Sequence, residues 1–428
     1  MKGFWSLSPL LFFILVYLVT SIVVQDFYKV PITVAFLLSS VYAIATLKGN
    51  IRERVNIFSK GAGDSDLMLM LWIFILAGAF ASTAKAMGAV DATVNLTLTL
   101  LPNSFLLPGI FIAACFISLA VGTSVGTIAA LTPVAVGIAS ESALPTPFVV
   151  AIVIGGAYFG DNLSFISDTT IVATQTQRCK MSDKFKVNSR IVFPIALLMA
   201  GLYFYLGQDM KSPEDLAPIN PWKVVPYLAV ILTAVFGLNV MLVLILGTVL
   251  TGAIGMIDGS FDLFGWFKSM ADGMLGMSEL IIMTLLAGGM FSIIRHNGGI
   301  DYLINKLTRH IHGARGAEGS IAGLVALVNV CTANNTVAIM TTGPIARDIA
   351  EKYGLDNRKT ASLLDTMSCC TQGLLPYGAQ MLIASGLAAL NPISILPYLF
   401  YPMALGLGVV VCVLFRYPRK YSTHTARL

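Results

Sequence analysis

The stretch LAGAFASTAKAMGAVD (residues 76–91) returns as LAGGMFSIIRHNGGID at residues 286–301, a constant offset of 210. Leu, Ala, Gly, Ser, a basic residue, Gly and Asp coincide in register. A second match, GTSVGTIA (122–129) with CTANNTVA (331–338), has an offset of 209 and lays Thr123 over Thr332 and Thr127 over Thr336. Charge gives the two copies opposite directions. The first follows KGNIRERVNIFSK (48–60) and precedes 85–104, where Lys85 is the sole Lys or Arg. The second follows 258–278, with Lys268 alone, and precedes the basic RHNGGIDYLINKLTRHIHGAR (295–315). Basic segments stay cytoplasmic, so the motif enters the membrane from opposite sides. That is an inverted-topology repeat, a building plan of secondary transporters.

Composition agrees. The chain of 428 residues is 56% hydrophobic and 11% charged, with a mean hydropathy of +0.81. A soluble domain carries about 25% charged residues. Apolar runs lie near 8–24, 31–47, 67–84, 105–121, 125–139, 147–176, 191–207, 223–237, 240–257, 279–294, 319–331, 334–349, 360–390 and 395–415. The expected fold is an all-α polytopic membrane protein with about 12–14 transmembrane segments, inverted repeats and discontinuous helices or hairpins. The first run, LSPLLFFILVYLVTSIVV, reads as a retained helix rather than a cleaved leader. The basic segments 177–190, 347–359 and 416–428 join 48–60 on the cytoplasmic side, and both termini are expected there. The chain divides into N-terminal helices (1–60), first repeat (61–190), connecting helices (191–270), second repeat (271–390), and a C-terminal helix with a cytoplasmic tail (391–428). The six cysteines show no CxxC spacing, so neither a disulfide framework nor a zinc site is expected. The net charge of +5 reads as topology, not as nucleic-acid binding.

Both repeats interrupt apolar helices at matching places. Thr123, Ser124 and Thr127 in VGTSVGT, and Thr332, Asn334, Asn335 and Thr336 in CTANNT, offer oxygens beside backbone carbonyls freed by unwinding. Hard cations such as sodium take oxygen ligands; small polar residues also serve simple helix packing. GDNLSFISDTT (160–170) adds Asp161, Ser164, Ser167, Asp168 and Thr169. Asp161, Ser164 and Asp168 are spaced to share a helix face, and intramembrane acids commonly carry ions or protons. Asp161 lies deeper; Asp168 sits nearer a basic segment, where an interfacial charge is the rival reading. LLDTMSCCTQGLLPYGAQ (363–380) contributes Asp365, Ser368, Gln372, Tyr377 and Gln380 around a break at Gly373–Pro376. Asp161, Asp168 and Asn335 are the expected sodium ligands. Gly122–Gly126 fits the G-x-S-x-G nucleophile pattern, but His296, His310, His312 and His424 all fall in basic segments, so no enzyme is expected.

GGAYFGDNLSFISDTT, ANNTVAIMTTGPIARDIA and SLLDTMSCCTQGLLPYGAQ resemble the NhaC family of sodium/proton antiporters, within the ion transporter superfamily, over roughly residues 60 to 390. The resemblance implies exchange of internal sodium for external protons in a bacterial inner membrane, with no cofactor and with a homodimer of scaffold and transport domains. The family motif reads like GDKxSPxSDTT; here Asn162 replaces the lysine and Phe165 the proline. The expected mechanism is competition of Na+ and H+ for a midplane carboxylate, Asp161. The alternative is Na+- or H+-coupled transport of an amino acid or organic acid, with an ion channel as the reading from another class.

Overall fold

The computed structural model of the chain describes residues 3–24, 32–100, 102–142, 144–164, 167–208, 220–236, 238–308 and 311–421. The chain termini, His310, His424 and Phe165 lie outside the described residues. The first half runs α1 (Ser8–Val24), α2 (Ile32–Thr46), α3 (Ile51–Ala62), α4 (Ser65–Met87), α5 (Ala89–Leu100), α6 (Asn103–Val121), α7 (Ser124–Glu141), α8 (Thr146–Leu163), α9 (Asp168–Thr176) and α10 (Met181–Leu206). The second runs α11 (Pro221–Val235), α12 (Val240–Ile257), α13 (Leu263–Gly276), α14 (Ser278–His296), α15 (Gly299–Thr308), α16 (Gly313–Thr332), α17 (Asn335–Tyr353), α18 (Asn357–Leu374) and α19 (Ala379–Ala388). The short α20 (Pro392–Ile395) and α21 (Phe400–Leu414) complete it, and no strand occurs among the described residues.

The apolar runs resolve unevenly. Among the described residues six helices are long and apolar enough to cross a membrane, or seven if the segment from Asn357 to Tyr398, bent by 100°, counts as one span; five shorter apolar helices of 10–17 residues accompany them. The run 147–176 is α8 and α9 separated by a break, and 360–390 is α18 and α19. Segments read as loops are partly helical. Residues 48–60 hold α3, opened by an Asn50–Glu53 capping box; 85–104 holds α5, 258–278 holds α13, and 295–315 holds α15. They escape a hydropathy scan because one face of each is polar, the pattern of a helix lying against others rather than alone in lipid. The divisions drawn at 60, 190 and 270 fall inside α3, α10 and α13.

Packing repeats between the halves. α4 packs against α12 and α13, and α14 packs against α2 and α3. α7 packs against α8 and α19, and α17 against α18 and α9. The quoted motif supplies the reason for the first exchange. A Cβ on Gly78 of α4 would stand 2.4 Å from the carbonyl oxygen of Gly273 in α13, and one on Gly288 of α14 would stand 3.1 Å from that of Gly61 in α3. Small residues let helix backbones cross this closely. At the centre lies α8, buried at every residue from Phe148 to Leu163. A helix apolar all round belongs inside, which explains PFVVAIVIGGAYF and makes its single carboxylate, Asp161, conspicuous.

Candidate ion-binding site

Four helix breaks converge. α6 ends at Gly122, in the left-handed region (φ 74°), and Thr123 turns the chain into α7 (φ −144°, ψ 125°). α16 ends at Ala333 (φ 51°), and Asn334 (φ −143°, ψ 113°) opens α17. The matching register is therefore Gly122 with Ala333 and Thr123 with Asn334, an offset of 211. The expected pairing of Thr123 with Thr332 and Thr127 with Thr336 is two residues out. Sequence identity aligned the threonines, whereas backbone conformation aligns the turn.

α8 likewise ends at Ser164 (φ −65°, ψ 139°) and α18 at Leu375 (φ −80°, ψ 116°). Asp161 and Gln372 then occupy corresponding places in the last turn of α8 and of α18. Asp161, 4% exposed, accepts hydrogen bonds from Ser124 Oγ (2.5 Å), from the Ser124 backbone N–H (3.2 Å) and from Ser167 Oγ (3.4 Å). The N-cap of α7, Thr123, makes no side-chain cap; Asp161 supplies the acceptor from the neighbouring helix, where the positive end of the helix dipole favours a carboxylate. Gln380 Nε2 donates to Ser124 Oγ (3.0 Å), and Gln372 Nε2 donates to Gln380 Oε1 (3.1 Å) and to the Ala333 carbonyl (2.9 Å). One hydrogen-bonded chain thus joins Asp161 to the break of the second half. Gln372 Oε1, buried, has no hydrogen-bond partner among the described residues; an orphaned buried acceptor calls for a ligand or an ordered water.

The other expected residues divide. Ser167 also shares a hydrogen bond with Thr169 (2.9 Å), so Thr169 borders the Asp161 shell. Ser164 Oγ donates to the Leu119 carbonyl (2.9 Å) and Tyr377 OH to that of Val330 (2.9 Å), each bracing a break, whereas Ser368 Oγ donates to the Asp365 carbonyl (2.9 Å) within α18. Thr127 Oγ1 donates back to the Thr123 carbonyl (3.1 Å) and Thr332 Oγ1 to that of Asn334 (3.1 Å). Asn334 Oδ1 accepts from the Val337 N–H (3.1 Å) and caps α17. Asn335 Oδ1 accepts from the Thr336 N–H (3.1 Å), while its Nδ2 is buried without a partner among the described residues. Asp168 is exposed at the first position of α9. It does not share a helix face with Asp161, because the break at Ser164–Ser167 separates them. The expected set of Asp161, Asp168 and Asn335 is not gathered by these contacts.

Two cations counted as cytoplasmic loop charge are buried instead. Lys184, 1% exposed, pairs with Asp365 Oδ2 at 2.5 Å, and Lys359 reaches both carboxylate oxygens of Glu318 at 2.9 Å. Asp365 is wholly buried. Asn188 donates to Asp365 (3.1 Å) and to the Asn162 carbonyl (2.9 Å), and accepts from Ser362 and Thr366. Lys184 and Asn188 were missed. A lysine at the eighth position of a basic segment carries no periodic signal; the cue was Asn162, standing where the resemblance puts a cation. The structure brings a cation there from α10. Ser124, the centre of the G-x-S-x-G pattern, bonds Asp161 and Gln380, with no histidine in that chain of bonds.

A cavity of about 720 Å³ opens between α4, α5, α7, α13 and α19, lined in part by Ser82, Lys85, Asp91, Asn95, Pro133 and Glu141. Pro133 lies about 13 Å along α7 from Ser124 at 1.5 Å per residue.

The chain is 21% identical over 396 residues to a malate-2H(+)/Na(+)-lactate antiporter of Bacillus subtilis (strain 168), spanning 85% of this chain and 84% of that one. It is 22% identical over 376 residues to the Na(+)/H(+) antiporter NhaC of the same organism, spanning 79% and 81%. Among solved structures, the YdaH transporter of Alcanivorax borkumensis covers 85% of this chain and 86% of its own, with a TM-score of 0.42 and 13% identity. The sequence profile of the Na+/H+ antiporter family matches residues 1–207 and 216–418. This chain is a multi-pass membrane protein that belongs to the Na+/H+ antiporter family.

Proposed function

We propose that the protein exchanges sodium for protons by competition at Asp161. One observation carries the reading: Asp161 is a buried carboxylate that caps the broken helix α7, while its counterpart Gln372 is neutral. Sodium favours the ionised carboxylate and draws on oxygens at the breaks, including Ser124, Ser167 and Gln372 Oε1. A proton on Asp161 removes the charge and expels the ion, so the site carries either cargo but not both. Either event alters the acceptor at the head of α7, which ties cargo to helix position. Alternating access of the two inverted repeats, as a homodimer in a bacterial inner membrane with both termini in the cytoplasm, completes the proposal.

The test is sodium-driven proton flux in proteoliposomes between pH 6 and 9. Asp161→Asn should abolish it while the protein folds, and Asp161→Glu should retain a reduced flux with a shifted pH profile. Coupled flux at the wild-type rate from Asp161→Asn overturns the mechanism.

A second reading is coupled transport of an amino acid or organic acid in the cavity, where Lys85 offers an ammonium for its carboxylate and Asp91 and Glu141 offer carboxylates for an amino group. The malate and lactate named for the B. subtilis relative are the probes. Saturable counterflow of labelled lactate or malate, lost in Lys85→Ala, would establish it; its absence leaves ion exchange alone.

A further inference from the structure

The ammonium of Lys184 has three donors, and each meets an oxygen. Asp365 Oδ2 lies at 2.5 Å, the Asn162 carbonyl at 2.6 Å and Thr170 Oγ1 at 2.7 Å. Those oxygens come from three elements, α18, the last turn of α8 and α9, and Lys184 arrives from a fourth, α10. One is a carboxylate, one a carbonyl at a helix end and one a hydroxyl, the oxygen types that hard cations take in place of water. Asn162 follows Asp161 directly, so this shell abuts the proposed sodium site through the backbone of α8. Every oxygen donor is buried: Asp365 is 0% exposed and Thr170 2%. An aliphatic stem carrying a point charge suits such a shell better than arginine's planar fork.

We infer that Lys184 is a tethered cation occupying a second cation site, made of Asp365, the Asn162 carbonyl and Thr170, which a sodium ion fills when the lysine is removed. The resident charge neutralises Asp365 and holds the unwound end of α8 to α9 and α18. It therefore limits the protein to a single exchangeable cation at Asp161, and Lys184 is a positioning and specificity residue rather than a carrier. Only the single count rests on the proposed competition at Asp161; the latent site does not.

Equilibrium binding of radioactive sodium to purified full-length protein tests the inference. Lys184→Gln should bind one sodium more per chain than wild type, and Lys184→Gln/Asp365→Asn should lose that extra ion. Asp161→Asn/Lys184→Gln should keep it, so failure of the Asp161 reading and failure of this one give different counts. An unchanged count in Lys184→Gln overturns the inference. If Lys184→Gln does not fold, Asp365→Asn decides. Its sodium count should equal that of wild type because the carboxylate serves the lysine, and a lower count would mean that Asp365 binds the transported ion itself.

Discussion

The two broken helix pairs have nearly the same backbone and different chemistry. Thr123 and Asn334 differ by 1° in φ and 12° in ψ. In the second half the cap is local: Asn334 closes its own helix on the Val337 N–H. In the first half Thr123 makes no cap, and the acceptor comes from Asp161 on another helix. A self-capped break is settled whatever surrounds it. A break capped by a neighbour's carboxylate depends on that carboxylate's charge, which a proton or a cation can change. The turn is shared by the two breaks, and the charge-sensitive cap stands on one side alone.

The crossings beneath the breaks offer the largest effect. Gly78→Leu should yield little folded protein, because even a Cβ would sit 2.4 Å from the Gly273 carbonyl oxygen, and overpacking typically costs about 1–3 kcal/mol or more. Gly288→Leu meets a flexible side chain first, Leu67 Cδ1 at 2.2 Å, with the Gly61 carbonyl at 3.1 Å, so it should be milder. Melting temperatures in detergent rank the two; equal, intact melting would remove the crossings from the comparison.

Orientation comes next, as an all-or-none readout. In a background without native cysteines, Asp91→Cys and Lys268→Cys, both exposed positions, should react with an impermeant thiol reagent from outside intact cells. Arg52→Cys and Lys60→Cys, also exposed, should react only after permeabilisation. The same sidedness for both sets would remove the inversion and leave a direct repeat.

The smallest expected effects separate two side chains of the second break. Asn334→Ala removes a helix cap and should cost about 1 kcal/mol of stability with the sodium dependence of flux unchanged. Gln372→Ala removes the buried acceptor Oε1 and should raise the half-saturating sodium concentration several-fold. If both variants alter stability alone, the second break is scaffold throughout.

The sequence by itself determined the membrane class, the recurring LAG motif, the positions of the breaks and Asp161 as the deeper acid of GDNLSFISDTT. Each is a local property: hydropathy over one helix length, a period along the chain, or a polar residue costly to bury. The tertiary structure decided the partners. Lys184 and Lys359 read as loop charges because they lie in basic segments, and only the packing of α10 and α18 against other helices places them inside, where an unpaired ammonium would be too costly and so must meet Asp365 or Glu318. Asp168 reads as a facial neighbour of Asp161 until the chain unwinds at Ser164, since helical spacing holds only along an unbroken helix. The register of 211 rather than 209 was likewise invisible, because Gly122 and Ala333 correspond through a shared left-handed backbone angle and not through a shared side chain.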